Sequence, residues 1–336
     1  MMDFSRQLKV QGMNAETQAR LAAAKVLIFG AGGLGATAIP YLAAAGVGAL
    51  MIVDDDAVAL SNLHRQILFT RGDIGRNKAV AAAAFCEARA EGSFQAIERR
   101  LSTAEIVAAM QAADIVLDCS DSRQLAYQLS DAALFTGRPV VFANAAAMGG
   151  QLFTMQPHAD LPCWRCLWSE EVLPSGNCDA LGVLGPVPAT LGLWQALEAI
   201  KLITRFAPSL SGELLQYDFV SMRQMRLRVA KAADCNHHKQ AADMVDEAVF
   251  EGDFAAAKMQ GLRIIDIRSA EEIAQKPLLQ ADNCILMSAL LDNPLQYIGR
   301  QEAVLLVCAA GQRSRSTAKL LRKQGFAGVS AYPKAW

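Results

Sequence analysis

Short apolar runs alternate with stretches of helical periodicity over the first two thirds of the chain. Strands that alternate with helices are typical of an α/β domain whose mostly parallel sheet is covered by helices on both faces. We therefore predict a Rossmann-like sheet. The predicted strands are 26–29, 50–53, 94–97, 114–119, 139–144, 151–155, 213–217 and 224–229. The predicted helices are 15–24, 36–45, 78–90, 103–110, 122–136 and 189–204.

A polar segment without periodicity, 231–243, separates this pattern from a shorter one. We read the end of that segment as a linker, which divides the chain into a first domain, 1–240, and a small α/β domain, 244–336. Within the second domain the apolar runs 262–267 and 304–307 predict strands, and a helix is expected from 314 to 323.

Composition narrows the function classes. Hydrophobic residues make up 53% of the chain and charged residues 19%, with a net charge of -1. That balance is typical of a soluble enzyme and argues against an electrostatic binder of nucleic acid or membranes. The first fifteen residues lack a signal-peptide core, and no apolar run reaches spanning length, so a cytoplasmic protein is expected.

A glycine-rich turn follows the first predicted strand. Gly30, Gly32 and Gly35 fit the pattern G-x-G-x-x-G, in which a helix N-terminus and backbone amides approach a phosphate. Asp54 ends the next strand, where such folds place a carboxylate on a ribose. The same pattern also serves nicotinamide-dependent oxidoreductases, so this function remains an alternative.

Polar residues after the second strand favour a triphosphate. Asn62, Arg65 and Lys78 follow Asp54, and Asp121 comes directly after the strand ending at 119. Cations offset phosphate charge and a carboxylate holds Mg²⁺. Taken singly, Asn62 could cap a turn, Arg65 could pair with an aspartate, Lys78 could begin a helix face and Asp121 could cap the next helix.

In this order and spacing, residues 5–238 resemble the activating enzymes of the MoeB/ThiF type, relatives of the ubiquitin-activating enzymes. The resemblance implies that ATP binds with Gly33 at the phosphate turn and Asp54 on the ribose. It also implies that Asn62, Arg65 and Lys78 contact the phosphates and that Asp121 holds Mg²⁺. Arg6 matches an N-terminal arginine that reaches the neighbouring subunit's ATP, which implies a homodimer.

Cys163 and Cys166 form a C-x-x-C pair, whose spacing allows both thiolates to bind one metal ion. The resemblance predicts a second pair near the end of the domain, where this chain has Cys235 and His238. We expect these four residues to bind a structural Zn²⁺, with His237 as a rival ligand. A redox-active or merely buried pair of cysteines is the alternative.

Two further cysteines are candidates for sulfur chemistry. Cys178 lies in a glycine- and proline-rich loop that resembles the family's crossover segment, whose cysteine can form a thioester or acyl disulfide with the carrier. Cys308 ends an apolar strand, and its loop, through Arg313, opens into a helix whose amides would stabilise a terminal sulfur anion.

The loop after Cys308 resembles the active-site loop of rhodaneses, and Asp266 and Arg268 resemble a motif of the rhodanese first strand. The chain departs from rhodaneses between 271 and 294, so a non-catalytic rhodanese-like domain is the alternative. Cys86, Cys119 and Cys284 are interpreted as packing residues.

The two resemblances together imply ATP-dependent adenylation of the C-terminal glycine of a ubiquitin-like sulfur-carrier protein that ends in Gly-Gly. A Cys308 persulfide, formed from thiosulfate or by a cysteine desulfurase, would then supply the sulfur of a thiocarboxylate. The remaining alternatives are an NAD-dependent oxidoreductase and a scaffold that binds the carrier without chemistry.

Overall fold

The structure is a computed structural model that describes residues 2–158, 160–168, 182–233, 235, 250, 252–309 and 311–332. The chain divides into two compact units, Met1–Met244 and Val245–Trp336. Most of the expected linker, 231–243, lies outside the described residues. No helix in the described ranges is long and apolar enough to cross a membrane.

The first unit is built on an eight-stranded sheet with the order β3-β2-β1-β4-β5-β6-β7-β8. Its strands are β1 Lys25–Phe29, β2 Ala49–Val53, β3 Ser93–Ile97, β4 Ile115–Asp118, β5 Val140–Ala146, β6 Gly149–Met155, β7 Glu213–Asp218 and β8 Arg223–Arg228. Pairing is parallel from β3 to β5 and antiparallel from β5 to β8. The α/β class predicted from the alternation is confirmed.

Helices of this unit cover both faces of the sheet. They are α1 Ala15–Ala23, α2 Gly35–Ala44, α3 Lys78–Glu87, α4 Thr103–Ala112, α5 Arg123–Thr136, α6 Trp164–Leu167 and α7 Pro186–Thr204. Successive residues of β1 belong to two separate apolar clusters: Val26 and Ile28 pack in one, and Leu27 and Phe29 in the other. Because side chains alternate along a strand, the continuous apolar run of β1 reflects burial on both faces.

Local signals fix most helix ends. The Asn14 side chain accepts from Thr17 N at 2.9 Å in a capping box at the start of α1, and Gly137 ends α5 in the left-handed region at φ +72°.

Two features differ from the prediction. Helix α7 begins at Pro186 rather than 189, since proline lacks only an N–H that the first helical turn leaves unbonded. The short helix α6 in the Cys163 segment was not predicted.

Helices α2 and α7 pack through a glycine. A Cβ on Gly192 would lie 2.1 Å from Leu34 O and 2.5 Å from Thr37 Oγ1. Thr37 Oγ1 also donates to Ala189 O at 2.9 Å across the same contact. The bare α-carbon of Gly192 therefore sets how closely α7 approaches the start of α2.

The second unit has a parallel four-stranded sheet with the order β10-β9-β11-β12. Its strands are β9 Arg263–Asp266, β10 Asn283–Cys284, β11 Val304–Val307 and β12 Val329–Ala331. Its helices are α8 Phe254–Met259, α9 Ala270–Gln275, α10 Met287–Asp292, α11 Pro294–Tyr297 and α12 Gln312–Lys323.

The cysteines interpreted as packing residues separate into two groups. Cys86 and Cys119 are buried, as predicted. The prediction for Cys284 is wrong, because this residue is exposed. It lies on β10, a two-residue strand at the edge of its sheet, where no further strand covers it.

We expect Gly192→Ala to destabilise the first unit by about 1–3 kcal/mol, the usual cost of overpacking a close-packed contact. The added methyl group would overlap the Leu34 carbonyl, which is backbone and cannot rotate away. Urea unfolding followed by the fluorescence of Trp164, Trp168 and Trp194, all in this unit, measures the change.

Gly72→Ala is the matched control. A Cβ at Gly72 would have its nearest neighbour, Thr70 Oγ1, at 3.5 Å, an ordinary contact. The control should unfold near the wild-type midpoint. A Gly192→Ala variant as stable as wild type would show that α2 and α7 do not depend on this contact.

Candidate active site

The turn between β1 and α2 accepts only glycine at two positions. Gly30 has φ +94°, donates to Val53 O at 2.8 Å, and a Cβ on it would lie 2.7 Å from Cys119 O. A Cβ on Gly35 would lie 2.1 Å from Gly30 O. The turn is therefore as tight as backbone contact allows, and the missing side chains let an anion approach the start of α2.

Asp54 holds this turn from the end of β2. Its Oδ2 accepts from Ala31 N at 2.7 Å and its Oδ1 accepts from Asp56 N at 2.9 Å. Burial raises the pKa of Asp54, and the two amides partly offset that rise. A carboxylate thus lies beside the glycine turn, where the sequence places the ribose contact.

Lys78 is the first residue of α3 and is only 5% exposed. Its Nζ donates to Asp56 Oδ2 at 2.9 Å, and its backbone N donates to Asp56 O at 2.9 Å. Asn77 Nδ2 donates to Asp54 O at 2.9 Å. The loop after β2 therefore fixes the lysine. The sequence analysis missed Asp56, although it ends a run of three aspartates.

Arg65 contacts its own loop. Its Nη1 donates to Ser61 O at 3.1 Å and to His64 Nε2 at 2.8 Å. An imidazole that accepts this bond has its proton on the other nitrogen. These contacts join Arg65 to a carbonyl and an imidazole, so they do not support the alternative that Arg65 pairs with an aspartate. Asn62 O accepts from the backbone N of Arg65 at 3.0 Å, so this residue shapes the segment that presents the guanidinium.

The carboxyl end of β4 carries two aspartates in different settings. Asp121 is exposed. The alternative in which Asp121 caps α5 is wrong, because Ser122 is the N-cap and its Oγ accepts from Leu125 N at 3.2 Å. Asp118 is buried, and its Oδ1 accepts from Ser120 N at 3.1 Å and Ser120 Oγ at 2.7 Å. Burial raises the pKa of Asp118 to about 7, and the charge of Asp121 adds to the effect.

Gln195 of α7 fastens the helix to this end of the sheet. Its Nε2 donates to Asp118 O at 2.7 Å and Val141 O at 3.0 Å, and its Oε1 accepts from Cys119 Sγ at 3.2 Å. All three partners are on or next to β4 and β5. The buried carboxamide of Gln195 thus has hydrogen bonds at both of its ends where α7 passes the site.

The glycine turn, the Arg65 segment and the start of α7 lie against one another. A Cβ on Gly33 would lie 3.0 Å from Pro188 Cβ and 3.9 Å from Arg65 O, and one on Gly185 would lie 3.3 Å from Arg65 Cα. The structure thus brings the predicted phosphate turn and Arg65 together. Arg6 lies apart in sequence, exposed at the start of the 3₁₀ helix Gln7–Lys9.

Three of the expected zinc ligands form a cluster. Cys163 Sγ lies 3.6 Å from Cys166 Sγ and 4.0 Å from Cys235 Sγ, and all three sulfurs lie within 4.8 Å of one another. Sulfurs around a tetrahedral Zn²⁺ are about 3.8 Å apart, given a Zn–S distance of about 2.3 Å. The cluster fits that ion. His237, His238 and the crossover residue Cys178 lie outside the described residues.

In the second unit Cys308 follows β11 and is 1% exposed. Its Sγ accepts from Ser314 N at 3.3 Å, in the first turn of α12. Ser314 Oγ donates to Gly311 O at 3.0 Å and to Tyr332 O at 3.1 Å, and Gly311 has φ +78°. The sulfur is therefore held at the N-terminal end of a helix, as the sequence predicts.

Arg313 is paired with a carboxylate that the sequence analysis missed. Its guanidinium donates to both oxygens of Glu272, with Nη1 at 2.8 Å from Oε2. This pairing lowers the pKa of Glu272 to about 2. Ser269 N also donates to Glu272 in a capping box of α9, a pattern that the sequence contains as Ser-x-x-Glu. Asp266 and Arg268 form a separate buried pair.

The model of the ThiF family matches residues 4–237, and the model of the rhodanese-like domain matches residues 251–336. The first match covers more than half of the chain. The chain belongs to the ThiF family. It carries a C-terminal rhodanese-like domain after the ThiF portion, which confirms the resemblance drawn from the motifs.

Relatives cover this ThiF-family chain to different extents. The sulfur carrier protein ThiS adenylyltransferase of Escherichia coli is 39% identical over 70% of this chain and 93% of its own length. The adenylyltransferase and sulfurtransferase MOCS3 of Drosophila yakuba is 33% identical over 96% of this chain and 78% of its own. The bovine MOCS3 is 36% identical over 89% and 70%.

Among solved structures, Escherichia coli MccB has a similar fold. Its complex with MccA-N7isoASN matches with a TM-score of 0.62 at 21% identity, over 70% of this chain and 74% of that one. A complex of MccB with ATP matches with a TM-score of 0.56 at 21% identity, over 66% and 68%.

We expect Asp118→Asn to change how stability depends on pH. The raised pKa means that the folded chain binds a proton that the unfolded chain has lost, so stability falls as pH rises from about 4 to about 7. The asparagine keeps the acceptor oxygen but has no charge to bury. Relative to the variant, wild type should lose stability by a few kcal/mol across this window. Urea unfolding at a series of pH values, without nucleotide or metal, measures the difference.

Asp218→Asn is the comparison. Hydrogen bonds from Ser221 and from the amide of Val220 lower the pKa of this exposed aspartate, so its titration lies below that of an ordinary aspartate. Wild type and this variant should keep a constant difference from pH 4.5 to 8. A constant difference for Asp118→Asn as well would contradict the raised pKa.

Proposed function

We propose that this chain uses ATP to adenylate the C-terminal glycine of a ubiquitin-like sulfur-carrier protein and then transfers sulfur from Cys308 to the product. The observation that carries the proposal is the presence in one chain of a basic glycine-turn site and of a cysteine held at a helix N-terminus. MOCS3 relatives, which align with nearly the whole chain, carry both activities in their names.

Adenylation needs positioning and charge stabilisation rather than a base, because the carboxylate of the carrier is already a nucleophile. One of its oxygens attacks the α-phosphorus of ATP, and pyrophosphate leaves with the bonding electrons. The glycines at 30, 32, 33 and 35 leave the phosphates access to backbone amides. Asp54 takes the ribose, and Arg65 and Lys78 offset the charge that develops on the phosphates.

Asn62 supports the same site, since its carbonyl orients the Arg65 segment. Mg²⁺, when bound, would neutralise phosphate charge, and Asp121 is the residue that would hold it. Asp121 is exposed beside the turn that Asp118 and Ser120 shape, so its carboxylate is free of burial. The contribution of this chain is a fixed carboxylate at the carboxyl end of β4.

Sulfur transfer uses the second unit. Thiosulfate or a cysteine desulfurase gives its sulfane sulfur to the Cys308 thiolate, which forms Cys308–S–S⁻ and releases sulfite or the desulfurase thiolate. The terminal sulfur attacks the acyl carbon of the carrier adenylate, and AMP leaves. The product is an acyl persulfide that joins the carrier to Cys308. The amide of Ser314 donates to Cys308 Sγ and so stabilises the thiolate that accepts the sulfane sulfur.

Release of the thiocarboxylate requires cleavage of the S–S bond. A thiolate of Cys178 attacks Cys308 Sγ, forms a Cys178–Cys308 disulfide and expels the carrier thiocarboxylate. An external dithiol then reduces the disulfide to two thiols. In this scheme the adenylating domain is 1–240, and the sulfurtransferase domain is 244–336.

The active form is proposed to be a homodimer in which Arg6 reaches the phosphates bound by the partner subunit. The exposure of Arg6 at the start of a short helix supports this role, because its guanidinium is available to a second chain. The acyl substrate is a carrier ending in Gly-Gly.

Zinc binding is proposed at Cys163, Cys166 and Cys235, with His238 as the fourth ligand. A closed four-ligand site of this kind is structural and joins α6 and its N-cap residue to the segment that follows β8. The sulfur separations, which match tetrahedral coordination, support the proposal.

Two substitutions should separate the two half-reactions. Lys78→Met removes a buried cation from the phosphates and should lower carrier-dependent ATP–pyrophosphate exchange about 100-fold or more, while cyanide-accepting thiosulfate sulfurtransferase activity stays at the wild-type level. Cys308→Ala should abolish the thiosulfate reaction and leave the exchange intact. ThiS of Escherichia coli is the carrier to use first, because a relative's name specifies it.

Matched controls are the exposed residues Lys9 and Cys284. Lys9→Met and Cys284→Ala should retain both activities. If Lys78→Met adenylates at the wild-type rate, or if Cys308→Ala keeps the thiosulfate reaction, the corresponding half of the proposal is wrong.

Cys163→Ser should remove the bound zinc. We expect about one zinc per wild-type chain purified without chelator, and a large loss in the variant because one thiolate ligand is missing. Elemental analysis by mass spectrometry measures the content. Cys86→Ser, at a buried cysteine outside the cluster, should keep its zinc. Wild-type protein without zinc would contradict the site.

A further inference from the structure

Gln66 is a buried polar residue beside the glycine turn to which neither the sequence motifs nor the proposed function assigns a role. It is 3% exposed. Its backbone is fixed on both sides, since its N donates to Asn62 O at 3.0 Å and its O accepts from Phe69 N at 3.1 Å. Its side-chain Nε2 lies 3.7 Å from the position that a Cβ on Gly32 would occupy. The carboxamide is thus pressed against the predicted phosphate turn.

The carbonyl oxygen of this carboxamide has no hydrogen-bond partner. Among the described residues of the first unit, Oε1 of Gln66 is the one buried side-chain oxygen or nitrogen in that state. An unbonded buried acceptor is costly, and most proteins avoid it unless a ligand or function requires it. Gln195 shows the contrast, because both ends of its buried carboxamide are bonded.

Packing fixes both the segment that carries Gln66 and the glycine turn beside it. The preceding residue, Arg65, contacts the start of α7: its Cα would lie 3.3 Å from a Cβ on Gly185. On the other side, a Cβ on the turn residue Gly33 would lie 3.0 Å from Pro188 Cβ. The end of the carboxamide nearest Gly32 is Nε2, and because the last side-chain torsion of glutamine is broad and roughly two-fold, a half-turn presents Oε1 to the turn instead.

The chemistry of the two substrates decides what an acceptor can bind there. Phosphate oxygens at neutral pH carry no donor hydrogen, the ribose hydroxyls belong to Asp54 in the proposed site, and the amino group of adenine lies beyond the ribose from the α-phosphorus. The carrier tail, by contrast, brings the peptide N–H of its terminal glycine, two bonds from the carbon of the attacking carboxylate. A donor close to the α-phosphorus is therefore supplied by the terminal peptide bond of the carrier.

We infer that Gln66 is a binding residue for the acyl substrate, and that its Oε1 accepts from the N–H of the last peptide bond of the carrier. This inference rests on the proposed function. It adds a contact between the site and the terminal glycine amide of the carrier. This contact does not involve the nucleotide, and it orients the carboxylate for attack.

A double-substitution experiment tests the contact. Gln66→Met removes the acceptor at similar size. A semisynthetic ThiS that ends in glycolate instead of glycine has an ester as its last linkage and lacks the N–H. Each change alone should lower kcat/KM for the carrier in ATP–pyrophosphate exchange about tenfold, and the two changes together should cost no more than one alone.

The dissociation constant for ATP with Mg²⁺, measured by calorimetry without carrier, should not change in Gln66→Met. The ester carrier tests the contact with the unaltered enzyme, so the result does not depend on whether the variant folds. Gln95→Met, at an exposed position on β3, is the matched control and should behave as wild type.

Three results would overturn the inference: additive losses, a wild-type rate with the ester carrier, or weakened ATP binding in Gln66→Met. Each of these outcomes leaves the proposed adenylation standing, because wild type with unaltered ThiS still exchanges pyrophosphate. A wild-type enzyme that shows no exchange with ThiS would instead contradict the proposed function for this carrier, and the inference with it.

Discussion

Backbone contact at the turn between β1 and α2 is the constraint on which the first unit depends. A side chain at Gly30 would collide with the end of β4, and one at Gly35 would collide with Gly30 itself. Neither obstacle is a flexible side chain. Because these contacts are backbone to backbone, any substitution would push β4 or α2 away from β1. The bond from Ala31 to Asp54 and the packing of Gly33 on Pro188 would be disturbed with them.

In each unit one cation of the candidate site is held by a carboxylate outside the recognised motifs. Lys78 is bound by Asp56, and Arg313 by Glu272. The Lys78 ammonium is buried and needs a counter-ion, which Asp56 supplies, whereas the Arg313 side chain is 38% exposed and water shares in solvating its charge. A phosphate or a persulfide brings its own negative charge and competes for the same cation. These pairs therefore set how much of the cationic charge an incoming anion meets.

The alternation of strands and helices predicted the fold well, because β1 and β4 are apolar on both faces and their helices have clear caps. Motif spacing likewise identified the glycine turn and the pair Cys163 and Cys166, and the family resemblance added Cys235 to the cluster. Neither identified Asp56, Glu272 or Gln66. The Ser-x-x-Glu pattern marks Glu272 only as a cap of its helix, and the run of three aspartates does not show which of them pairs with Lys78. Those pairings and the burial of Gln66 come from tertiary packing, which a single sequence does not show. Cys284 shows the reverse error, since apolar neighbours in sequence do not reveal an edge strand.

Two chemistries on one chain have a kinetic consequence. An acyl adenylate is an activated anhydride that water can consume, so its yield depends on how soon a nucleophile arrives. Where a flexible linker spans the two sites, a nucleophile on the same chain acts at an effective concentration on the order of millimolar, whereas a separate donor acts only at its free concentration. Under the proposed scheme, a persulfide on Cys308 reacts with the acyl adenylate before water hydrolyses it. Selection on such a chain acts on the charge and shape of each unit together with the linker that joins them.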